Sequence, residues 1–252
     1  MKCLEQVRNT PGKVGFYFAP LGGEAIEFQA DLPLVAASVI KVPIMVEAFR
    51  RFGEGTLSPD MVVEIRAEHK KPSCGALTYM HDGLKVTVMD LVTLMIIVSD
   101  NTASNLMIDL LGVESVNRTM EQLGIPGICL RRKLFEPELS RQGIQNTITA
   151  RGVGMLLDRM ARGALLGGEA DAKMMEILGD QRLNGKLPFF LHSMDVDVAH
   201  KTGEDDGTTH DCGVIFAKQP FVVCMLSNDV DVPKFERVMQ DAALELYELC
   251  NR

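Results

Sequence analysis

The chain lacks the features that mark several whole classes of protein. Its longest apolar run, residues 91–98, falls far short of the roughly 20 residues that cross a bilayer, which excludes a helical membrane span. It has no basic run: 26 lysines and arginines stand against 34 acidic residues, for a formal charge of -8 and a pI near 5.2. Such a surface has little to exchange for the counterions of a phosphate backbone, so nucleic acid is excluded as a partner and anionic membranes are disfavoured. The six cysteines (Cys3, Cys74, Cys129, Cys212, Cys224 and Cys250) contain no Cys-x-x-Cys pair, and the five histidines (His69, His81, His192, His200 and His210) show no His-Glu-x-x-His spacing. No metal, cofactor or thiol redox motif is therefore expected. The N-terminus, Met1-Lys2-Cys3-Leu4-Glu5, carries charge where a secretory leader would be apolar. As written, that places the chain in the cytoplasm, with its cysteines as thiols; a removed leader would place it in the periplasm or outside the cell. Internal repeats and low-complexity segments are also missing.

What the chain does have is material for a core, with 252 residues that are 46% hydrophobic, enough for one or two domains. Residues 13–19 and 25–30 alternate in strand fashion around Pro20-Leu21-Gly22-Gly23, which predicts a hairpin. Residues 38–180 show helical periodicity broken at Gly and Pro. Strand patterns return at 196–201, 213–217 and 221–227, and residues 233–249 form an amphipathic helix with Phe235, Val238, Met239, Ala242, Leu246 and Leu249 on its apolar side. Strands at both ends enclosing a helical middle predict an α+β fold. Its sheet domain is discontinuous, residues 1–34 and 188–252, and residues 35–187 form a helical domain.

Three short segments carry the chemistry. Ser38-Val39-Ile40-Lys41 opens an apolar helical stretch, and residues three apart share a helix face, so the Lys41 amine can reach the Ser38 hydroxyl. A Ser-x-x-Lys match alone is weak, since about one is expected by chance in a chain of this length. Lysine among buried apolar residues is expensive, however, and desolvation lowers its pKa until it can take a proton near neutrality. Ser99-Asp100-Asn101 follows an apolar run and precedes a second helical pattern, so it lies at a junction between helices; taken alone it would read as a helix cap. Lys201-Thr202-Gly203 ends a strand-like stretch and alone would read as a turn. Together the three supply a nucleophile with an adjacent amine, a hydroxyl with an amide, and a cation with a hydroxyl for an anionic group.

In this motif set and its order the chain resembles the penicillin-recognising serine hydrolases, and among them the class A beta-lactamases and close relatives. Phe135-Glu136-Pro137-Glu138-Leu139-Ser140 is similar to the family's Glu-Pro-Glu-Leu-Asn loop, and the likeness runs from Gly15 to the C-terminal helix. The resemblance implies an antiparallel sheet with flanking terminal helices and an inserted all-helical domain. It implies a beta-lactam or related acyl substrate, with Ser38 as nucleophile, Lys41 or Glu136 as acylation base and Ser99 as proton relay to the leaving nitrogen. Glu136 would also direct the deacylating water. Backbone amides of Ser38 and Glu204 would form the oxyanion hole, Asn101 would bind the substrate's side-chain amide, and Lys201, Thr202 and Gly203 would line the carboxylate site.

The chain departs from the family pattern at three places. Ser140 stands where an asparagine is usual, leaving one hydroxyl where an amide helped hold water. Glu204-Asp205-Asp206 puts acidic groups beside the carboxylate site. The arginine frequent on the next strand is replaced by Thr208-Thr209-His210, so His210 is expected as the helper cation. The alternatives to lactam hydrolysis are a related serine peptidase or esterase, and a sensor that is acylated without turnover.

Overall fold

The computed structural model describes residues 1–72 and 74–252. Helix α1 (Lys2–Arg8) leads into strands β1 (Lys13–Pro20), β2 (Ile26–Phe28) and β3 (Leu34–Val35), and a one-turn 3-10 helix (Ala37–Ile40) runs directly into α2 (Lys41–Gly53). Strands β4 (Val62–Ile65) and β5 (Leu84–Thr87) precede helices α3 (Val88–Ile97), α4 (Asn101–Leu111), α5 (Val113–Gln122) and α6 (Pro137–Arg141). Strand β6 (Thr147–Ile148), helices α7 (Ala150–Ala161) and α8 (Gly168–Gly179), strands β7 (Val198–Asp205), β8 (Thr208–Ile215) and β9 (Phe221–Asn228), and helix α9 (Val232–Cys250) complete the chain.

The main sheet is antiparallel with strand order β2-β1-β9-β8-β7. Because side chains alternate across a strand, each strand feeds two apolar layers. Phe16, Phe18, Phe221, Val223 and Met225 face Cys3 and Val7 of α1 and Phe235, Met239, Ala242 and Leu246 of α9. Tyr17, Ala19, Cys212, Val214, Val222, Cys224 and Leu226 face the other way, into a core that continues through α2, α3, α4, α7 and α8. Helices on both faces explain why every residue of β8 and β9 is buried.

This is the expected α+β architecture: a five-stranded sheet, terminal helices on one face and the helical region on the other. Three local differences have physical causes. Residues 62–65 and 84–87, expected within the helical run, pair as an antiparallel hairpin, and their β-branched content suits a half-buried ribbon better than a helix. Residues 34–35 likewise pair with 147–148. Strand β7 continues past residue 201 to Asp205, because Asp206-Gly207, with Gly207 at φ 61°, makes a two-residue hairpin that pairs Asp205 with Thr208. Lys201-Thr202-Gly203 therefore sits inside an edge strand and not in a turn.

Candidate active site

Ser38 lies on the 3-10 turn between β3 and α2, preceded by Ala37 at φ 43°. Lys41 is the first residue of α2, and its side chain is fully buried. Its Nζ lies 3.0 Å from Ser38 Oγ, 2.7 Å from the Ser99 carbonyl oxygen, 2.9 Å from Ser99 Oγ and 2.9 Å from Asn101 Oδ1. One amine thus ties the first motif to the second. Burial, reinforced by the nearby Lys201 cation, pushes the Lys41 ammonium well below its ordinary range.

Ser99 occupies the corner between α3 and α4 at φ 55°. Asp100 is the N-cap of α4, accepting Ala103 N at 2.9 Å through one oxygen; the other takes Ala76 N at 2.7 Å and Leu77 N at 2.8 Å. The cap and the site are the same triplet, with Asp100 fixing the corner while Ser99 and Asn101 turn toward Lys41. Gly75 is required beside it, since a Cβ there would collide with the Asp100 carboxylate. Left-handed backbone costs a non-glycine residue about 1–2 kcal/mol, and Ala37, Ser99 and Phe135 all carry it, each at or immediately before a candidate site residue.

From the sheet side, Lys201 Nζ donates to Ser99 Oγ at 3.1 Å and to the Thr202 carbonyl at 2.9 Å. Burial, with Lys186, lowers Lys201 to about 7 against the opposing pull of Asp211. The Ser99 hydroxyl is accordingly held between two buried amines. Gly203 packs against the turn that carries Ser38: a Cβ on it would stand 3.0 Å from His210 Cδ2, 3.2 Å from Val39 Cγ2 and 3.3 Å from Ala37 Cβ.

Glu136 immediately precedes the short helix α6 and lines the same cleft, with Oε2 accepting Lys133 N at 3.0 Å. Its loop is clamped to α4 by Asn105, which donates to the Leu134 carbonyl at 2.9 Å and accepts Leu134 N at 2.8 Å. Asn105 was not singled out from the sequence, although it lies four residues after Asn101 and so on the same helical face. Thr202, Gly203, Glu204, Ser38, Ser99 and Asn101 line the cleft with Glu136, enclosing about 570 Å³.

His210 is elsewhere. Its ring is fully buried, Nε2 donating to the Val35 carbonyl at 2.8 Å and Nδ1 accepting Ser227 N at 3.0 Å. These partners fix one neutral tautomer, and burial lowers the ring to about 4. The expectation of His210 as helper cation is corrected: β8 is covered on both faces, so the ring has no water to stabilise a charge. The cation found nearby is Lys186, 4% exposed, whose Nζ lies 3.0 Å from Glu204 Oε1 and 3.4 Å from the carbonyls of Gly203 and His210. No sequence pattern marked it, since its partners come from distant strands. It ties back Glu204, the first residue of the acidic run.

A serine hydroxyl, a buried amine within its reach, a second hydroxyl bridging two amines and a carboxylate lining the same cleft are an arrangement suited to acyl transfer. On this fold they define the beta-lactamase and penicillin-binding class of serine hydrolases. The chain belongs to the beta-lactamase enzyme family, whose model matches residues 2–250. It is similar to a solved beta-lactamase from Sphaerobacter thermophilus DSM 20745, at 28% identity over 98% of this chain and 96% of the other, with a TM-score of 0.89. It is similar also to PBP-A, at 25% identity over 98% and 94% of the two chains, with a TM-score of 0.88. A beta-lactamase from Chitinophaga pinensis DSM 2588 shares the fold, with a TM-score of 0.90 at 20% identity over 99% and 98%. Among curated proteins none matches the chain. No helix among the described residues is long and apolar enough to cross a membrane.

Proposed function

We propose that this protein hydrolyses a beta-lactam amide through an acyl-enzyme on Ser38. The observation that carries the reading is the Lys41 amine, 3.0 Å from Ser38 Oγ and held well below its ordinary pKa by burial and by Lys201, which favours its neutral form. A neutral amine has a free electron pair. Ser38 Oγ attacks the lactam carbonyl carbon while its proton passes either to Lys41 Nζ or, through a water, to the Glu136 carboxylate. The tetrahedral oxyanion is met by the backbone amides of Ser38 and Glu204. The carbon–nitrogen bond then breaks, and Ser99, bridged between Lys41 and Lys201, gives its proton to the leaving nitrogen and is reprotonated from a neighbouring amine. Asn101 holds the substrate's side-chain amide, and Lys201 with Thr202, over Gly203, holds its carboxylate. In the second half Glu136 takes a proton from water as the water attacks the ester carbonyl; the bond from the carbonyl carbon to Ser38 Oγ then breaks, and Glu136 passes the proton on to Ser38 Oγ.

Similarity to PBP-A favours a second reading, in which Ser38 is acylated and released slowly; a point mutant of PBP-A has been solved as an acyl-enzyme complex with penicillin G. The test is turnover of a chromogenic cephalosporin by the wild type beside Ser38→Ala, with fluorescent penicillin labelling followed over time. Catalytic turnover lost in Ser38→Ala is expected. Stable stoichiometric label without turnover would favour the second reading, and no label would sink both.

A further inference from the structure

The loop that carries Glu136 holds a hydrogen-bond chain that the three motifs do not include. Ser140 lies four residues after Glu136 and donates its backbone N–H to the Glu136 carbonyl at 3.1 Å, and both residues line the cleft. Gln145 also lines it. The Gln145 amide is held at both ends: Arg132 Nη2 donates to its Oε1 at 2.6 Å, and its Nε2 donates to Ser140 Oγ at 2.7 Å. Arg132 cannot accept a hydrogen bond, so the charged end fixes which way the amide points. Arg132 is itself anchored, giving Nε to the Ile144 carbonyl at 2.9 Å and Nη1 to the Lys133 carbonyl at 2.9 Å.

This arrangement decides what the Ser140 hydroxyl can do. With one lone pair engaged by Gln145, its single proton is left for another partner, and the residue lines the cleft. A guanidinium at the head of the chain polarises each bond after it, which makes that hydroxyl a stronger donor. From these contacts we infer that Gln145, aimed by Arg132, is a positioning residue that turns Ser140 into a fixed donor for the water Glu136 activates. The inference rests on the hydrolytic reading above. The water accepts from Ser140 Oγ–H and donates one proton to a Glu136 carboxylate oxygen, leaving its lone pair for the acyl carbonyl. No proton leaves Ser140 or Gln145 in the step. The chain thus replaces the amide missing at position 140 with a hydroxyl oriented from behind.

The test is a single-turnover comparison with fluorescent penicillin, reading the rate of label attachment and the rate of label loss separately. Gln145→Ala should attach label at the wild-type rate and lose it about tenfold more slowly, the effect of about one hydrogen bond. Ser140→Asn in the Gln145→Ala background should restore release, because an amide at position 140 reaches the water without help; a loop that had simply loosened would not be rescued. Thermal melting of each variant checks that the chain remains folded. Label loss from Gln145→Ala at the wild-type rate overturns the inference while leaving the hydrolytic reading intact, and so does slowed loss that Ser140→Asn fails to rescue. A wild type that takes no label, or never releases it, overturns the hydrolytic reading and the inference with it.

Discussion

Lys201 is a buried cation whose energetic cost can be measured apart from its chemistry. Burial, with Lys186, lowers its pKa from 10.5 to about 7 against Asp211. Below about pH 7 the side chain is charged in both the folded and the unfolded chain. Above it the folded chain has released a proton that the unfolded chain keeps until about 10.5. Throughout that window the unfolded state binds more protons, so stability rises with pH. The full gap corresponds to about 5 kcal/mol, or about 1.4 kcal/mol per pH unit. Lys41 is lowered as well and acts with the same sign, so the measurement is a difference between wild type and Lys201→Met. Removing the Lys201 cation lets Lys41 relax upward, which can only flatten the variant's own slope. Urea denaturation followed by circular dichroism from about pH 6 to about pH 9.5, at fixed ionic strength, should show the wild type gaining at least about 1 kcal/mol per pH unit on the variant above pH 7. Parallel curves for the two proteins would refute a strongly lowered Lys201.

Other consequences are as specific. Glu47 is fully buried in α2; burial pushes its carboxyl up, but hydrogen bonds from Arg50, Ser115, Thr119 and Arg51 outweigh it and bring it to about 2. Its contribution is therefore complete above about pH 4.5 and lost as pH falls through about 2, and Glu47→Gln should cost about 3 kcal/mol at neutral pH by urea denaturation. Gly203→Ala should destabilise by about 1–3 kcal/mol and slow acylation, because its new methyl presses on Ala37 and Val39 beside Ser38 and on a His210 ring that cannot move; an unchanged labelling rate would show the turn to be pliable. Glu136→Gln should still take label from a fluorescent penicillin yet release it at least about a hundredfold more slowly, the scale of a lost general base. Equal turnover by that variant would remove Glu136 from the mechanism.

Much of the architecture was legible because it is written in local pattern. The alternation in residues 13–19 and 221–227 and the amphipathic face of residues 233–249 specify which surfaces must be covered, and the sheet with its terminal helix follows. The short ribbon of β4 and β5 was not legible: each strand has four residues, too few to distinguish period 2 from a fragment of helix. At the site, Ser38 and Lys41 could be paired from sequence because one helical turn sets their distance. Asn105, Lys186 and Gln145 could not, since what each does depends on a partner from another segment: Leu134 for Asn105, Glu204 and Glu236 for Lys186, Arg132 and Ser140 for Gln145. His210 shows the converse limit. Its place in the sequence pointed to a cleft-facing cation, but its pairing opposite Gly203 on a strand covered from both sides turns the ring inward. Alternation places a side chain on one face of a sheet; it does not tell whether that face is wet.

The central claim is that Ser38 is acylated and then freed. Intact-protein mass spectrometry at short intervals after mixing with benzylpenicillin tests it most directly, with peptide mapping to place the adduct. The account predicts a one-to-one adduct on Ser38 that rises quickly, declines as substrate is consumed, and is missing in Ser38→Ala. An adduct on another residue, or no adduct while Ser38 is intact and the protein folded, would contradict it.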